Sequence, residues 1–578
     1  MKKIILLTLL FYISQTKAQT LQWAYNFGCA GDSSYGKGVT HDVQGNSIIT
    51  GRYLGTVDFE PGVGTKLLGP STYGFCYVAK YNPSGNMAWA FSIGAGTNAF
   101  SEGSSVCTDA SGNIYVTGVF EGTIDFDPGA AVHTLVGAFT RGGDIFVAKY
   151  DAGGNYLWAH NFAGNGNYGN FGNNICTDKT GNVFVSGAFQ GVSDFNPGAG
   201  VNNVTAVGNN DIFLAKYDAN GNYLFAFAIP SSGSSYNGPQ GLSTDSTGNV
   251  FISGFLESSS DFDPGAGVQT LTLQGYQDIF LAKYDAGGNY KWAFNIGASG
   301  HGAQGLSNSV DANGNVFLTG FFRGTMDFDP GAGTSNLTWH ASREDIFLAK
   351  YDNGGNYLWA FNIGSTALRD NFGFGVATDG SNAYITGCFA GPADFDPGAN
   401  TQNLTSLAAS DIFLASYDAG GNYRWAFDIG SSASTSGYYS YIGYNVSANT
   451  TGDIWLTGWI QNTGNDFDPN AGVYSIDVPS GEQDIFLAKY STTPTGISQY
   501  INKNSGIEIY PNPTKGILTI TNTEEILELS VIDVLGNTIY NVKPNTQTLN
   551  LSIENEGVYF VNLKTESGAT TKKVIVTK

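Results

Sequence analysis

Positive charge is scarce in this chain. Its 26 Lys and Arg residues stand against 48 Asp and Glu residues, which leaves a formal charge of -22 at pH 7. This balance argues against phosphate backbones and anionic lipid surfaces as partners, because both would be repelled. It is compatible with solubility, with cation binding, and with neutral ligands such as sugars.

Enzyme motifs are also missing. The sequence contains no H-E-x-x-H, no P-loop and no defensible Ser/His/Asp order. Five histidines occur at unrelated positions, and we expect them to be solitary loop or strand residues: His41, His133, His160, His301 and His340. Enzymatic activity therefore has no positive support, and we predict no catalytic residue and no cofactor-binding residue.

Cysteine is rare and shows no metal-ligand spacing. None of the five cysteines belongs to a CxxC pair. We expect them to be buried, unpaired thiols, since Cys is frequently buried: Cys29, Cys76, Cys107, Cys176 and Cys388.

Long apolar runs are absent, since no segment reaches the roughly 18 residues that a transmembrane helix needs. The first 18 residues combine Lys2 and Lys3, an apolar run at 4–13 and a small-residue site ending at Ala18. This pattern is typical of a secretory signal peptide. We therefore predict a protein that is secreted or lies on the outer-membrane surface, with no transmembrane segment.

What the chain has in abundance is glycine (79 residues) and aromatic residues (14 %), a mixture that favours many short strands joined by tight turns. The phrase "DIFLAKY" or a variant recurs at steps of 66 to 73 residues. Ser416 replaces its lysine in one copy. The lysine occupies the other six copies, at Lys80, Lys149, Lys216, Lys283, Lys350 and Lys489.

Each of the seven units contains four short runs rich in β-branched and aromatic residues, joined by Asp- and Gly-containing turns such as "DASGN". Such runs predict antiparallel strands with hairpins. The middle strands are apolar on both faces, so each sheet should pack between two neighbours. We predict an all-β fold, a seven-bladed β-propeller over residues 19–492. An open β-solenoid is the alternative.

The two ends of the repeat region favour closure of a ring. The segment "LQWAYNFG", centred on Trp23, is a lone copy of the fourth strand, whereas the seventh unit ends after its third strand at Tyr490. The N-terminal strand is therefore predicted to complete the last blade.

The units resemble the bacterial seven-bladed propeller repeat of secreted and surface proteins. The resemblance is carried by "DKTGNVFVSG" (Asp178 to Gly187) and "DIFLAKYDAGGNY" (Asp278 to Tyr290), and it covers about residues 20–492. It implies the propeller fold, but that family has no shared activity to carry over.

Each unit also contains an acidic motif, "DFDPG" or a variant, which begins with Asp and carries a second acid two residues later in six of the seven copies; the third copy has Asn196 there. Three readings are open: a structural turn held by side-chain to backbone bonds, a calcium site in some blades, or a catalytic acid pair. A catalytic pair is needed once rather than seven times. The candidate calcium ligands are Asp58, Asp125, Asp127, Asp194, Asp261, Asp263, Asp327, Asp329, Asp394, Asp396, Asp466 and Asp468.

The repeated lysines need partners if they are buried. A recurring Asp of the same unit supplies one, so we interpret the six lysines as scaffold residues.

A different composition begins after the repeats. Residues 493–506 form a predicted linker, and residues 507–578 a small Ig-like β-sandwich. The last segment is similar to the C-terminal sorting domain of the type IX secretion system of Bacteroidetes. An ordinary Ig-like module is the alternative. The resemblance implies contact with the type IX machinery, and the matching motifs contain Tyr510, Pro511, Asn512, Pro513, Gly516, Gly536, Gly557, Tyr559, Lys572 and Lys573.

Function is expected where the units differ. The loops that leave the fourth strands vary most, and we expect them to emerge on the same face as the acidic connection between second and third strands. The longest loop predicts a ligand face with Tyr438, Tyr439, Tyr441 and Tyr444. Aromatic rings beside amides and carboxylates suit glycans or protein partners, although these loops are equally well explained as solvated decoration. We predict a surface scaffold for adhesion or binding to polysaccharide or protein. The alternative is an extracellular carbohydrate-active hydrolase or lyase that uses carboxylates on the same face.

Overall fold

This computed structural model describes residues 19–28, 33–94, 99–137, 143–162, 170–233, 236–340, 343–365, 367, 369, 371–430, 441–470, 472–478, 482–492, 508–533, 538–565 and 568–577. The chain divides into two compact units, Met1–Thr493 and Pro494–Lys578. Within the described residues, every regular element is a β-strand. None of these residues belongs to a helix long and apolar enough to cross a membrane.

The first unit contains seven antiparallel sheets of one design, which together give a propeller-like arrangement. Within each sheet, the four main strands lie in the order first, second, third, fourth. The strands of the first three sheets are, for sheet 1, Tyr35–His41, Ser47–Asp58, Leu67–Tyr81 and Met87–Ile93; for sheet 2, Phe100–Thr108, Ile114–Asp125, Asp144–Tyr150 and Tyr156–Phe162; for sheet 3, Phe171–Thr177, Val183–Phe189, Asp211–Tyr217 and Tyr223–Ile229.

The remaining sheets repeat this order. Their strands are, for sheet 4, Gly238–Thr244, Val250–Leu256, Asp278–Tyr284 and Tyr290–Ile296; for sheet 5, Ala303–Val310, Val316–Phe322, Asp345–Tyr351 and Tyr357–Ile363; for sheet 6, Phe372–Thr378, Asn382–Phe389, Asp411–Asp418 and Tyr423–Ile429; for sheet 7, Ile442–Ala448, Asp453–Ile460, Asp484–Ser491 and, as fourth strand, Thr20–Phe27.

The core lies between neighbouring sheets. The second and third strands are buried along almost their whole length, as in Val183–Phe189 and Asp211–Tyr217. One apolar cluster joins Tyr115 and Ile145 of sheet 2 to Val183 and Phe213 of sheet 3. Burial on both faces accounts for the continuous apolar runs of these strands.

The strand from the beginning of the chain pairs with the last strand of the repeats. Thr20–Phe27 runs antiparallel to Asp484–Ser491, with Ala24 opposite Ala488. The first strands of neighbouring sheets also contact one another. The first strand of each sheet contacts that of the next sheet in the chain, and the first strand of sheet 7 contacts that of sheet 1.

The connection between second and third strands folds back along its own sheet. In sheet 3 it forms the ladder Val192–Asp194 with Asn203–Thr205. Phe195 at its tip is buried and stacks on Phe162 of sheet 2, with ring centroids 5.4 Å apart. The equivalent ladders or added strands are Thr134–Gly137 (paired with Ile114–Asp125), Ser260–Asp261 with Thr270–Leu271, Thr325–Asp327 with Asn336–Thr338, Pro392–Asp394 with Asn403–Thr405, and Asn465–Asp466 with Ser475–Ile476.

The repeated lysines join one sheet to the next. Each Nζ donates a hydrogen bond to a carbonyl in the hairpin of the following sheet, and Lys489 of sheet 7 reaches Pro83 O of sheet 1 at 3.5 Å. Five of them also lie within 4 Å of an acid in their own sheet. That acid belongs to the hairpin between first and second strands, not to the "DFDPG" turn, as in Lys80–Asp42 at 3.0 Å.

Ser416 replaces the lysine in sheet 6, where a lysine would have no carbonyl acceptor in the following sheet. The acceptor in the other sheets lies between third and fourth strands, for example Ala419 O, which accepts from Lys350 at 3.3 Å. Sheet 7 lacks that hairpin, because its fourth strand comes from the beginning of the chain. The exception therefore follows from the chain topology.

The second unit contains two antiparallel sheets around a small apolar core. One sheet has three strands and the other four, and Leu518, Val531 and Leu563 are among the buried side chains. An Ig-like topology stays a prediction. The strands are Glu508–Tyr510, Ile517–Ile526, Glu528–Asp533, Thr538–Val542, Thr546–Ser552, Gly557–Thr565 and Gly568–Val576.

Candidate functional site

The two acids of each "DFDPG" motif accept hydrogen bonds from their own turn. In sheet 4, Asp261 Oδ1 accepts from the N–H groups of Asp263 (3.1 Å) and Gln269 (2.8 Å). Asp263 Oδ1 accepts from Gly265 N–H at 2.8 Å. The same bonds recur in sheets 5 and 6. This geometry is that of a structural turn capped by side chains.

The acidic turns lie at the opposite end of the sheets from the loop-rich face. The hydroxyl of Tyr417, at the end of a third strand, donates to Phe395 O between the two acids of sheet 6 at 2.9 Å. Because the hairpin folds back, its tip reaches the tight turn between third and fourth strands. The expectation that these acids share a face with the variable loops is therefore wrong.

Calcium binding at these turns stays a prediction. Among the described residues, no group of three or more His, Cys, Asp or Glu side chains is arranged to hold a metal ion. In sheets 4, 5 and 6 the N–H groups of the turn bond to Oδ1 of the two acids, so Oδ2 of each acid is the acceptor that could contact a cation.

The predicted tyrosine face divides in three. Tyr438 and Tyr439 lie outside the described residues. Tyr441 is fully buried and its hydroxyl accepts a hydrogen bond from Asn462 Nδ2 at 3.1 Å, so it is a core residue and not a ligand contact. Tyr444 lies on the first strand of sheet 7, with its ring 5.4 Å from that of Phe374 in sheet 6.

The cysteines differ in exposure. Cys76 and Cys388 are buried, as predicted, whereas Cys107 and Cys176 are partly exposed, and none of these four cysteines forms a disulfide bond. Cys107 and Cys176 lie on first strands, which are less buried than the second strands of the same sheets, and this accounts for the difference. Cys29 lies outside the described residues.

Charged side chains break the repeat on the first two strands of sheet 1 and on the first strand of sheet 2. We call Tyr35, Lys37, Arg52 and Glu102 the inner-strand cluster. Lys37 forms an ion pair with Glu102, Tyr35 OH donates to Glu102 Oε2 at 2.8 Å, and Arg52 Nη1 lies 3.7 Å from the same oxygen. The Arg52 guanidinium lies 5.0 Å from the centroid of the Tyr35 ring, within cation–π range.

The electrostatics of this cluster favour an ionised Glu102. Burial alone would raise the pKa of Glu102, but the charge and hydrogen bond of Lys37, the hydrogen bond from Tyr35 and the charge of Arg52 lower it. Burial, followed by the negative charge of Glu102, raises the pKa of Tyr35. Two cations and one anion leave a local charge of about +1 on an acidic protein. Sequence reasoning missed this cluster, although its signal is that equivalent positions elsewhere are mostly uncharged.

A second set of missed residues is the Asp that begins six of the seven third strands. All six side chains are buried: Asp144, Asp211, Asp278, Asp345, Asp411 and Asp484. The amide of the facing fourth strand supports this acid in sheets 4, 5 and 7, as in Asn295 Nδ2 to Asp278 Oδ2 at 2.7 Å.

Sheet 6 departs from that arrangement. Asp428 takes the place of the amide. Oδ1 of Asp411 is buried without a hydrogen-bond partner among the described residues, as is Oδ1 of Asp484 in sheet 7. Burial raises the pKa of Asp411 to about 7; the hydrogen bond from Leu407 opposes this rise and the charge of Asp428 adds to it.

The motifs at the two ends of the second unit are joined by Asn512. Its Nδ2 donates to Lys573 O at 2.7 Å, and its Oδ1 accepts from Ile575 N–H at 3.0 Å. Thr514 N–H donates to Ile575 O at 2.9 Å, next to this pair. The predicted sorting residue Gly536 lies outside the described residues, whereas Tyr559 is buried and Tyr510 is exposed.

Comparison with known families identifies this second unit. Residues 508–577 match the family described as "Secretion system C-terminal sorting domain". The chain therefore carries a type IX sorting domain, and the resemblance drawn from its motifs is confirmed. It is a β-rich protein exported by type IX secretion, and it is secreted or displayed on the cell surface. The sorting domain implies interaction with the type IX machinery.

Relatives of the repeat region are distant. An uncharacterized WD repeat-containing protein of Acanthamoeba polyphaga mimivirus is 29% identical over 255 residues, which cover 38% of this chain and 18% of that protein. The regulatory protein FlaEY of Caulobacter vibrioides is 28% identical over 178 residues, which cover 28% and 18%. The chain thus spans less than a fifth of the length of these two relatives.

Solved structures resemble the chain only weakly. PorZ of Porphyromonas gingivalis, described as a surface component of the type-IX secretion system, shares 11% identity over 96% of this chain and 100% of that chain, with a TM-score of 0.15.

Proposed function

We propose that the protein is a closed seven-bladed β-propeller that acts at the cell surface as a binding or adhesion scaffold for a polysaccharide or protein. Support for the ring comes from the pairing of Thr20–Phe27 with Asp484–Ser491 and from the circular order of contacts between first strands. In this proposal residues 1–18 are a signal peptide, removed before the sorting domain directs the second export step.

The observation that carries the binding role is the inner-strand cluster. In a ring, the first strands line the axis, and the start of each first strand lies at the loop-rich end. There, Lys37 and Arg52 pair with Glu102. The first strand of sheet 7, which contacts that of sheet 1, carries Tyr444, and the Tyr444 ring packs against Phe374 of sheet 6. Charged and aromatic side chains grouped at one end of a repeat scaffold suit ligand recognition better than scaffold packing.

This role is tested by retention of the full chain on a glycan array and on immobilised extracellular matrix protein. The variant Lys37→Met removes one cation of the cluster, and we expect it to weaken binding several-fold. Lys291→Met is the matched control, because it removes one equally charged group that pairs with Asp285 on a hairpin far along the chain. Equal binding by both variants, or no binding by the unmodified protein, would contradict the proposal.

The acids described above do not support the alternative function, an extracellular carbohydrate-active hydrolase or lyase. The acids that begin the third strands are buried, and the acids of the turns recur from sheet to sheet in one capping role, whereas a catalytic pair is needed once. A carboxylate that catalyses glycoside hydrolysis must instead reach its substrate.

A further inference from the structure

A cavity of about 400 Å³ opens at the seam between sheets 5 and 6. Trp359 and Phe361, on the fourth strand of sheet 5, form one wall. The facing wall comes from sheet 6, where the acidic turn supplies Asp396 and the beginning of the fourth strand supplies Tyr423. We call this space the seam crevice. Its volume lies within the roughly 300–1,000 Å³ typical of small-molecule sites.

The crevice is held in shape without a ligand. The rings of Trp359 and Phe361 are parallel within 14°, with centroids 5.7 Å apart. The Trp359 indole N–H donates to Ala419 O at 3.1 Å, which fixes the ring across the seam. Asp396 Oδ1 accepts from Gly398 N–H at 2.8 Å, which fixes the carboxylate. Such preorganisation lowers the entropic cost of binding.

The chemistry of the walls selects the ligand. Aromatic rings can pack against the apolar faces of sugars. The carboxylate of Asp396 can accept hydrogen bonds from sugar hydroxyl groups, and the amides of Asn400 and Asn422 can accept or donate them. Its described lining contains no Lys, Arg or His side chain. Phosphate, sulfate or uronate groups would therefore meet a carboxylate without a compensating cation.

We propose that the seam crevice binds a neutral sugar residue of a polysaccharide. The crevice is built on fourth strands, at the opposite edge of the sheets from the inner-strand cluster, so this inference does not rest on the binding role proposed for that cluster.

The same residue types recur at the neighbouring seam. Between sheets 4 and 5, the corresponding residues are Trp292, Phe294, Asp329, Asn356 and Tyr357, and the first two rings are again parallel, at 5.7 Å and 12°. A polymer with a repeating sugar can engage several seams of one chain, so that weak single sites add up to high avidity. This accounts for a repeat in which partly exposed aromatic and acidic residues, and not only fully buried residues, recur.

The decisive experiment follows Trp359 itself by ¹⁹F NMR of the full chain labelled with 5-fluorotryptophan, with the resonance assigned through Trp359→Phe. Maltotetraose, cellotetraose and xylotetraose are titrated as probes. We expect at least one of them to shift the Trp359 resonance saturably. In Asp396→Asn the half-saturating concentration should rise at least five-fold. The turn should survive this change, because sheet 3 carries Asn196 at this position and its Oδ1 accepts from Gly198 N–H at 2.9 Å.

The control is Asp352→Asn, in the hairpin of sheet 5, where an equal change in charge occurs outside the lining. Sheet 1 carries Asn82 at that hairpin position with the same capping bond, at 3.0 Å to Ser84 N–H. This variant should leave the Trp359 titration unchanged. The inference is overturned if none of the sugars shifts the resonance, if Asp396→Asn has no effect, or if arginine methyl ester shifts it in their place.

Discussion

The substitution Asp428→Asn should stabilise sheet 6, and it should do so only above acidic pH. In sheets 4 and 5 the fourth strand places an amide against the buried acid that begins the third strand, with distances of 2.7 Å and 2.8 Å to Asp278 and Asp345. In sheet 6 the same position holds Asp428, which cannot donate when ionised. The variant restores the arrangement of the sister sheets.

The magnitude follows from Asp411. Its pKa rises from 3.8 to about 7, chiefly through burial, with the charge of Asp428 adding to the rise and the hydrogen bond from Leu407 N–H opposing it. Burial also raises the pKa of Asp428, and the charge of Asp466 adds to that rise. At about 1.4 kcal/mol per pKa unit, the cost of ionising Asp411 in the folded state is on the order of 4 kcal/mol. A hydrogen bond to a charged group returns about 1.5–3 kcal/mol, so we expect a gain of about 2 kcal/mol.

The direction of the pH dependence is fixed by linkage. Because the pKa of Asp411 is higher in the folded state than its ordinary value of 3.8, the folded state holds the proton more tightly than the unfolded chain. This stabilisation is complete below about pH 3.8 and is lost as the pH rises through about 7. The benefit of Asp428→Asn should therefore be largest at pH 8 and small at pH 4.

The assay is thermal unfolding of both proteins between pH 4 and pH 8. An unfolding entropy of about 2.1 cal/mol/K per residue makes 2 kcal/mol a shift of about 2 °C in a unit of this length. Asn295→Asp is the reciprocal control and should lower the midpoint at pH 8. A shift of the same size at pH 4 and pH 8, or a lower midpoint for Asp428→Asn, would refute the reasoning.

Four further outcomes are expected. Deletion of residues 20–27 should lower the unfolding midpoint of the repeat unit, because sheet 7 loses its fourth strand; an unchanged midpoint would argue against ring closure. Lys350→Met should cost about 1–3 kcal/mol through its lost bonds to Ala419 O and to the Asp311 carboxylate, whereas Ser416→Lys should give no gain in a denaturant titration. Addition of calcium or of a chelator should leave the unfolding midpoint unchanged if the acidic turns are only structural, and a rise with calcium would establish the metal reading. A chain truncated after residue 492 should remain in the periplasm by cell fractionation, and its appearance on the surface would count against the role of the sorting domain.

Features that repeat in the sequence could be predicted well. The sequence pattern predicts the seven repeats, the four strands of a unit and the lone strand around Trp23, because strand periodicity and turn chemistry are local properties. The sorting domain was also readable, since its motifs follow one another in a fixed order between Tyr510 and Lys573.

Features that depend on packing across a seam could not be predicted. The fold-back of the acidic hairpin rests on the bond between the Tyr417 hydroxyl and Phe395 O, and a spacing of 22 residues does not say on which side a connection packs. Tyr441 looked like a surface tyrosine because its neighbours are polar, yet it is fully buried. Residues from different sheets also form the seam crevice, so no single stretch of sequence shows it.

The most direct test of the closed ring is hydrogen exchange of the backbone amides in Thr20–Phe27, compared with the equivalent fourth strand Tyr357–Ile363. The account predicts protection of the same order in both segments, because each is paired along its length with a buried third strand. Exchange of Thr20–Phe27 at the rate of an unstructured peptide, while Tyr357–Ile363 stays protected, would contradict it.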